Sequence, residues 1–91
     1  MKLDLSNVPE GIAYGGPSIG DVYPSLGGAN RQARWKVIVG ISGGTVHFLT
    51  FDENGEVCGS TSYGLHAVEK RYRVGRVTNL GPLHVEWDGA P

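Results

Sequence analysis

The chain has little that would staple, anchor or steer it. Its 91 residues include a single cysteine, Cys58, so no internal disulfide forms, and the residue spacing holds no recognisable zinc motif. A reducing compartment suits such a chain. Nowhere do about 18 apolar residues run together as a membrane span requires. The N-terminal MKLDLSNVPEG has no apolar stretch long enough for a signal peptide, so the expectation is a cytoplasmic protein. Neither sign of charge is in excess: 8 Lys and Arg stand against 9 Asp and Glu, a formal net charge of −1. No global field therefore draws the chain to nucleic acid or to an anionic membrane, and any such binding needs a local patch. Internal repeats, low-complexity tracts and a dividing linker are also missing.

With 40% hydrophobic and 19% charged residues, the composition is globular rather than disordered. A chain of this length buries only roughly 60–65% of its unfolded surface, enough for one core. The stretch from Trp35 to Thr61 organises the rest. It reads as three antiparallel strands joined by Ser42-Gly43-Gly44 and by Asp52-Glu53-Asn54-Gly55. Trp35, Val37, Val39 and Ile41 alternate with Lys36 and Gly40, which predicts one apolar face at the two-residue period of a strand. Ile38 alone breaks the alternation. Asn54-Gly55 tolerates positive φ between two β-prone runs and predicts a hairpin.

Before this meander, Leu3 and Leu5 alternate with Lys2 and Asp4 as a short edge strand or arm. Residues 12–20, with three glycines and a proline, form a connection. Asp21-Val22-Tyr23 predicts a short strand stopped by Pro24. Residues 25–34 then form a long polar loop, of a kind that is more often functional than a plain connector. After the meander, Leu65 and Val68 are spaced for one helical turn within residues 62–70. Arg71 to Val77 returns to alternation, 78–82 reads as a turn, and Leu83, Val85 and Trp87 alternate with His84 and Glu86 in a last strand. The expected organisation is a single domain: arm and loop at 1–19, a β-barrel at 20–77, and a strand and tail at 78–91.

This order of parts resembles an SH3-like barrel over residues 20–77: a strand at Val22, a long first loop, strands at Trp35, Thr45 and Val57, a helical turn near Leu65, and a closing strand at Val74. The resemblance implies an all-β fold, a small SH3-like barrel of about five strands with extra N- and C-terminal strands. The acidic residues and ALYDY-like run of signalling SH3 domains are missing, so recognition of proline-rich ligands is not implied. The opening Gly20-Asp21-Val22-Tyr23, Gly27-Gly28 and Arg31 to Ile41 also resembles the MazF/PemK family of toxin ribonucleases. That resemblance implies that Arg31 or Arg34 stabilises phosphorane-like charge and that Thr50, Thr61 or Ser62 supplies a hydroxyl. Trp35 stands where that family has a proline, and its later Pro-x-Thr signature is absent. The general character of the chain is also similar to that of small accessory proteins of bacteriophages.

Other chemistry is thinly signalled. His47, His66, His84 and Cys58 have spacings that match no familiar metal-ligand pattern, and no metal or other cofactor is expected. His47 and Cys58 are candidates to face each other across the distal hairpin. His66 beside Glu69 has the elements of an oriented general base, and equally those of two polar residues on a surface turn. The glycine pairs are followed by neither Lys-Ser/Thr nor a long helix, so turn geometry explains them. The basic residues say more: Arg31, Arg34 and Lys36 lie around the first loop, and Lys70, Arg71, Arg73 and Arg76 crowd the later segment. With Tyr23 and Tyr63 on the same barrel surface, guanidinium and ring suit either a protein interface or phosphate contact plus base stacking.

The sequence thus predicts a non-enzymatic binding module that grips a protein partner through Tyr23, Arg31, Arg34, Tyr63 and Arg73. A single-stranded nucleic-acid binder and a degenerate MazF-like endoribonuclease are the alternatives. Exposed sheet edges on so small a domain also suit a homodimer.

Overall fold

The structure is a computed structural model, and it describes residues 17–25, 32–80 and 83–87. The expected Leu3–Leu5 strand and most of the 12–20 connection lie outside these residues. The elements in chain order are strands β1 (Asp21–Pro24), β2 (Trp35–Ser42), β3 (Thr45–Phe51) and β4 (Val57–Gly64), helix α1 (Leu65–Glu69), and strands β5 (Gly75–Leu80) and β6 (Leu83–Trp87). All strand pairs are antiparallel, in one six-stranded sheet of order β4-β3-β2-β1-β5-β6. The fold is all-β, as expected. Among the described residues the sheet is not closed, with β4 and β6 as its edges, which corrects the expectation of a closed barrel.

The central meander forms as its turn residues dictate. Gly43 and Gly44 both take positive φ, 56° and 80°, between the paired Ser42 and Thr45. Two consecutive left-handed residues give a two-residue turn whose twist matches the strands it joins. The second turn works differently. Gly55 N–H donates to the Asp52 carbonyl at 3.0 Å and Asp52 N–H to the Glu56 carbonyl at 2.8 Å, while Gly55 takes positive φ, 83°. The Asp52 carboxylate accepts from Asn54 N–H and Glu56 N–H, each at 2.9 Å. Asp52 therefore anchors the turn through a side-chain mimic of a backbone turn, and Gly55 supplies its left-handed step.

Both faces of the sheet are packed, which explains why Ile38 broke the expected alternation. On one face Val22, Trp35, Val37, Phe51, Val74, Leu83 and Val85 form a core with Leu49 and Val77 against it. This cluster joins β3 to β6, strands far apart in the sheet order, so the sheet curls over its own face. On the other face Tyr23, Ile38, Val46, Phe48 and Val68 form a second core, with Leu65 alongside. The pairing slips between Ile38 and Gly40. Beyond this bulge Val39 and Ile41 are exposed, so the apolar face expected to run to Ile41 stops at Val37. A bulge re-aims every later side chain of its strand.

Two boundaries also differ from expectation. Ser62 and Tyr63 belong to β4 rather than to the helical turn, and β5 runs from Gly75 to Leu80, through residues expected to turn. The segment before β5 is tied down by single bonds instead: Val74 N–H donates to the Val22 carbonyl at 2.8 Å. Helix α1 has no side-chain cap, but Leu65 N–H reaches the Gly44 carbonyl at 2.8 Å. That bond satisfies one of the donors every helix start leaves open and seats Val68 on the second core.

Candidate functional site

The second face gathers aromatic rings and cations. Register pairs Tyr23 with Lys36, Lys36 with Thr50, and Val46 with Tyr63. Phe48 lies between them. Its ring meets Tyr23 edge-on at 5.9 Å and Tyr63 edge-on at 5.8 Å, the geometry that sets one ring's positive edge against another's negative face. The row begins in the core and ends in solvent: Tyr23 is 2% exposed and Tyr63 40%. The Lys36 ammonium sits 4.4 Å from the Tyr63 ring centre and 5.3 Å from that of Phe48.

Lys36 is buried, at 7% exposure, which is unusual for an ammonium. Burial holds its pKa below the ordinary lysine value, and the Arg71 guanidinium adds to the effect. Burial likewise pushes the Tyr23 hydroxyl up to about 12; Asp21 adds to the rise and Arg76 opposes it. Asp21, two residues before Tyr23 on the same face of β1, is 1% exposed. Its carboxylate accepts from Arg76 Nε at 2.9 Å and from Ser18 N–H at 3.0 Å, and lies 3.5 Å from an Arg73 nitrogen.

The five residues expected to form one binding surface are distributed otherwise. Arg31 lies outside the described residues. Tyr23 is in the core, so its hydroxyl and ring are not on the surface expected of them. Arg73 is turned to Asp21. Arg34 is exposed and stacks on the Trp35 ring at 5.2 Å, beside an open cleft of about 490 Å³ lined by Gln32, Ala33, Arg34, Asp52, Glu53 and Asn54. Arg34 N–H bonds the Phe51 carbonyl, whereas Tyr63 pairs with Val46. Those rows are ~17 Å apart along β3 at the rise of an extended strand. Of the five, Tyr63 is the exposed residue that borders the aromatic and cationic cluster.

Other expected pairings resolve plainly. His47 faces Ser62, Nδ1 to Oγ at 2.9 Å, and Cys58 Sγ reaches Thr50 Oγ1 at 3.7 Å. His47 and Cys58 are therefore not the cross-strand pair that was expected. Thr50 is buried, and Ser62, on the His47 row, is at a distance along β3 from the Arg34 end. His66 lies 3.5 Å from Glu69 with its side chain 96% exposed, a surface pair. Among the described residues no group of three His, Cys, Asp or Glu is placed to hold a metal ion, and no helix is long and apolar enough to cross a membrane.

Lys36, Phe48 and Asp21 were missed as site residues. The signal for the first two was Ile38, which shares the face of Lys36 and marks that face as buried. Comparison with protein-family models, with curated proteins and with solved structures finds no match.

Proposed function

We propose that the protein is a non-enzymatic binding module of the cytoplasm that takes an extended segment of a protein partner along the β4 edge, with Tyr63 as the principal side-chain contact. The observation that carries this reading is the edge itself. β4 is eight residues long, VCGSTSYG, and none of them is buried. Natural edge strands are usually blunted by charge, by proline or by shortness. This one carries neither charge nor proline. Among the described residues no strand pairs with its outer side, and an edge of that kind is the template for strand addition, in which main-chain bonds give affinity and side-chain pockets give specificity. An exposed tyrosine packed on a fixed ring adds a rigid contact at low entropic cost.

An SH3-like reading of the fold is supported by the order β4-β3-β2-β1-β5, with α1 between β4 and β5. A second reading, single-stranded nucleic acid, rests on the exposed Tyr63 ring beside the Lys36 ammonium, a combination suited to base stacking with a phosphate contact. It is the weaker because Arg73 and Arg76 are held by Asp21 and Arg34 stands at the other end of β3, which leaves no track of cations for a phosphate backbone among the described residues.

The test is capture from a bacterial lysate with and without nuclease, repeated with Tyr63→Ala. The protein reading expects one protein retained after nuclease treatment and lost with the variant. Capture of nucleic acid alone, with affinity falling steeply as salt rises, supports the second reading instead.

A further inference from the structure

Lys36 has a cation's needs and, among the described residues, none of a cation's usual oxygen partners. An ammonium has three donors, and a buried polar group is normally hydrogen-bonded. Around this one stand two ring faces, and the charge of Arg71 adds to the burial that lowers its pKa. Among the described residues neither Lys36 nor Arg71 has a carboxylate within ion-pair distance. Ring faces offset part of the charge but accept none of the three N–H bonds in the way an oxygen would. Over the ammonium lies the ring of Tyr63, an exposed side chain on the strand that ends the sheet among the described residues.

We propose that the Lys36 ammonium is a binding site for a carboxylate, the acidic side chain of the partner segment that lies along β4, with Tyr63 swinging aside to admit it. This rests on the reading of β4 as the partner edge and names what that edge selects. A carboxylate oxygen supplies acceptors that the two ring faces do not, and its charge offsets that of the buried ammonium. Ion pairs with a buried member are shortened and strengthened by their charge. A strand added to β4 places alternate side chains on the face that holds Tyr63, so one acidic residue at one register position is enough. A phosphate track is not available, because the neighbouring Arg73 and Arg76 are engaged by Asp21.

The experiment follows side-chain and amide resonances of the full chain on addition of acetate, inorganic phosphate, an oligothymidylate, and a pair of five-residue extended peptides differing only in a central Glu or Gln. Lys36→Met, which keeps the packing volume of the stem, is the variant, its fold checked by thermal melting. The proposal expects acetate to shift the Lys36 and Tyr63 signals and the Glu peptide to bind at least fivefold more tightly than the Gln peptide. That preference disappears in Lys36→Met while the Gln peptide binds as before. Equal binding of the two peptides, or a preference that survives Lys36→Met, overturns the site but leaves the β4 edge standing. Binding of neither peptide overturns the edge reading itself and the site with it. Shifts from the oligothymidylate without shifts from acetate overturn the carboxylate in favour of a nucleic acid.

Discussion

Raising the pH through the range in which tyrosine ionises should unfold this protein through one residue, Tyr23. Its hydroxyl is pushed from the ordinary 10.0 up to about 12, chiefly by burial and further by Asp21. Between those values the unfolded chain loses the proton and the folded one keeps it, so the native state binds more protons and stability falls as pH rises. The contribution is intact below pH 10 and is lost through pH 12. Two pH units correspond to about 3 kcal/mol at the end of the window and about 2 kcal/mol at pH 12 itself, a large part of the stability of a small domain. Lys36 works in the other direction: its pKa lies below 10.5 when folded, so its effect is a gain of stability with rising pH that is complete above about pH 10.5. The two windows therefore separate. Urea unfolding at several pH values from 9 to 12 measures the slope. Tyr23→Phe removes the ionising group and should flatten the fall between pH 10 and pH 12 by about 2 kcal/mol. Equal slopes for the two proteins would refute the buried, proton-retaining Tyr23.

Three further outcomes follow from the same geometry. Asp21→Ala strips a buried carboxylate from Arg73, Arg76 and the Ser18 amide, and equilibrium unfolding should show a loss of about 3 kcal/mol or more. Phe48→Ala removes the ring shared by Tyr23, Tyr63 and Lys36, at a cost of about 3–5 kcal/mol by the same assay. Its Tyr63 ring should also gain mobility in relaxation measurements. Gly55→Ala places a Cβ at φ 83° and should cost on the order of 1 kcal/mol, whereas Gly59→Ala, on the exposed edge, should stay within about 0.5 kcal/mol by the same denaturation.

How much of this was legible in the sequence depends on whether the signal was local. The meander was legible because its glycines sit where the strands reverse and its strands alternate. The short helix was legible from Leu65 and Val68, since a single turn brings both onto one side. The bulge at Ile38 and Gly40 was not: a register slip has no residue signature of its own, and it turned Val39 and Ile41 outward. Packing on both faces of β2 was hinted at by Ile38 alone, and alternation read strictly placed Lys36 in solvent. The site suffered for the same reason. Tyr23 and Arg34 were grouped with Tyr63 by residue type, but a strand separates its ends by distance and its faces by parity, so Arg34 went to one end and Tyr23 into the core. Asp21 was invisible as a partner of Arg73 and Arg76 because that pairing spans the distance from β1 to the start of β5 in sequence.

The claim that β4 is the partner edge is tested most directly by amide hydrogen exchange on the full chain, alone and with the protein it retains from lysate after nuclease treatment. The account expects new protection at the alternate amides of residues 59–64 that point away from β3, with Tyr63→Ala weakening it. Protection confined to the Arg34 cleft or to β6, with residues 57–64 exchanging as before, would contradict it.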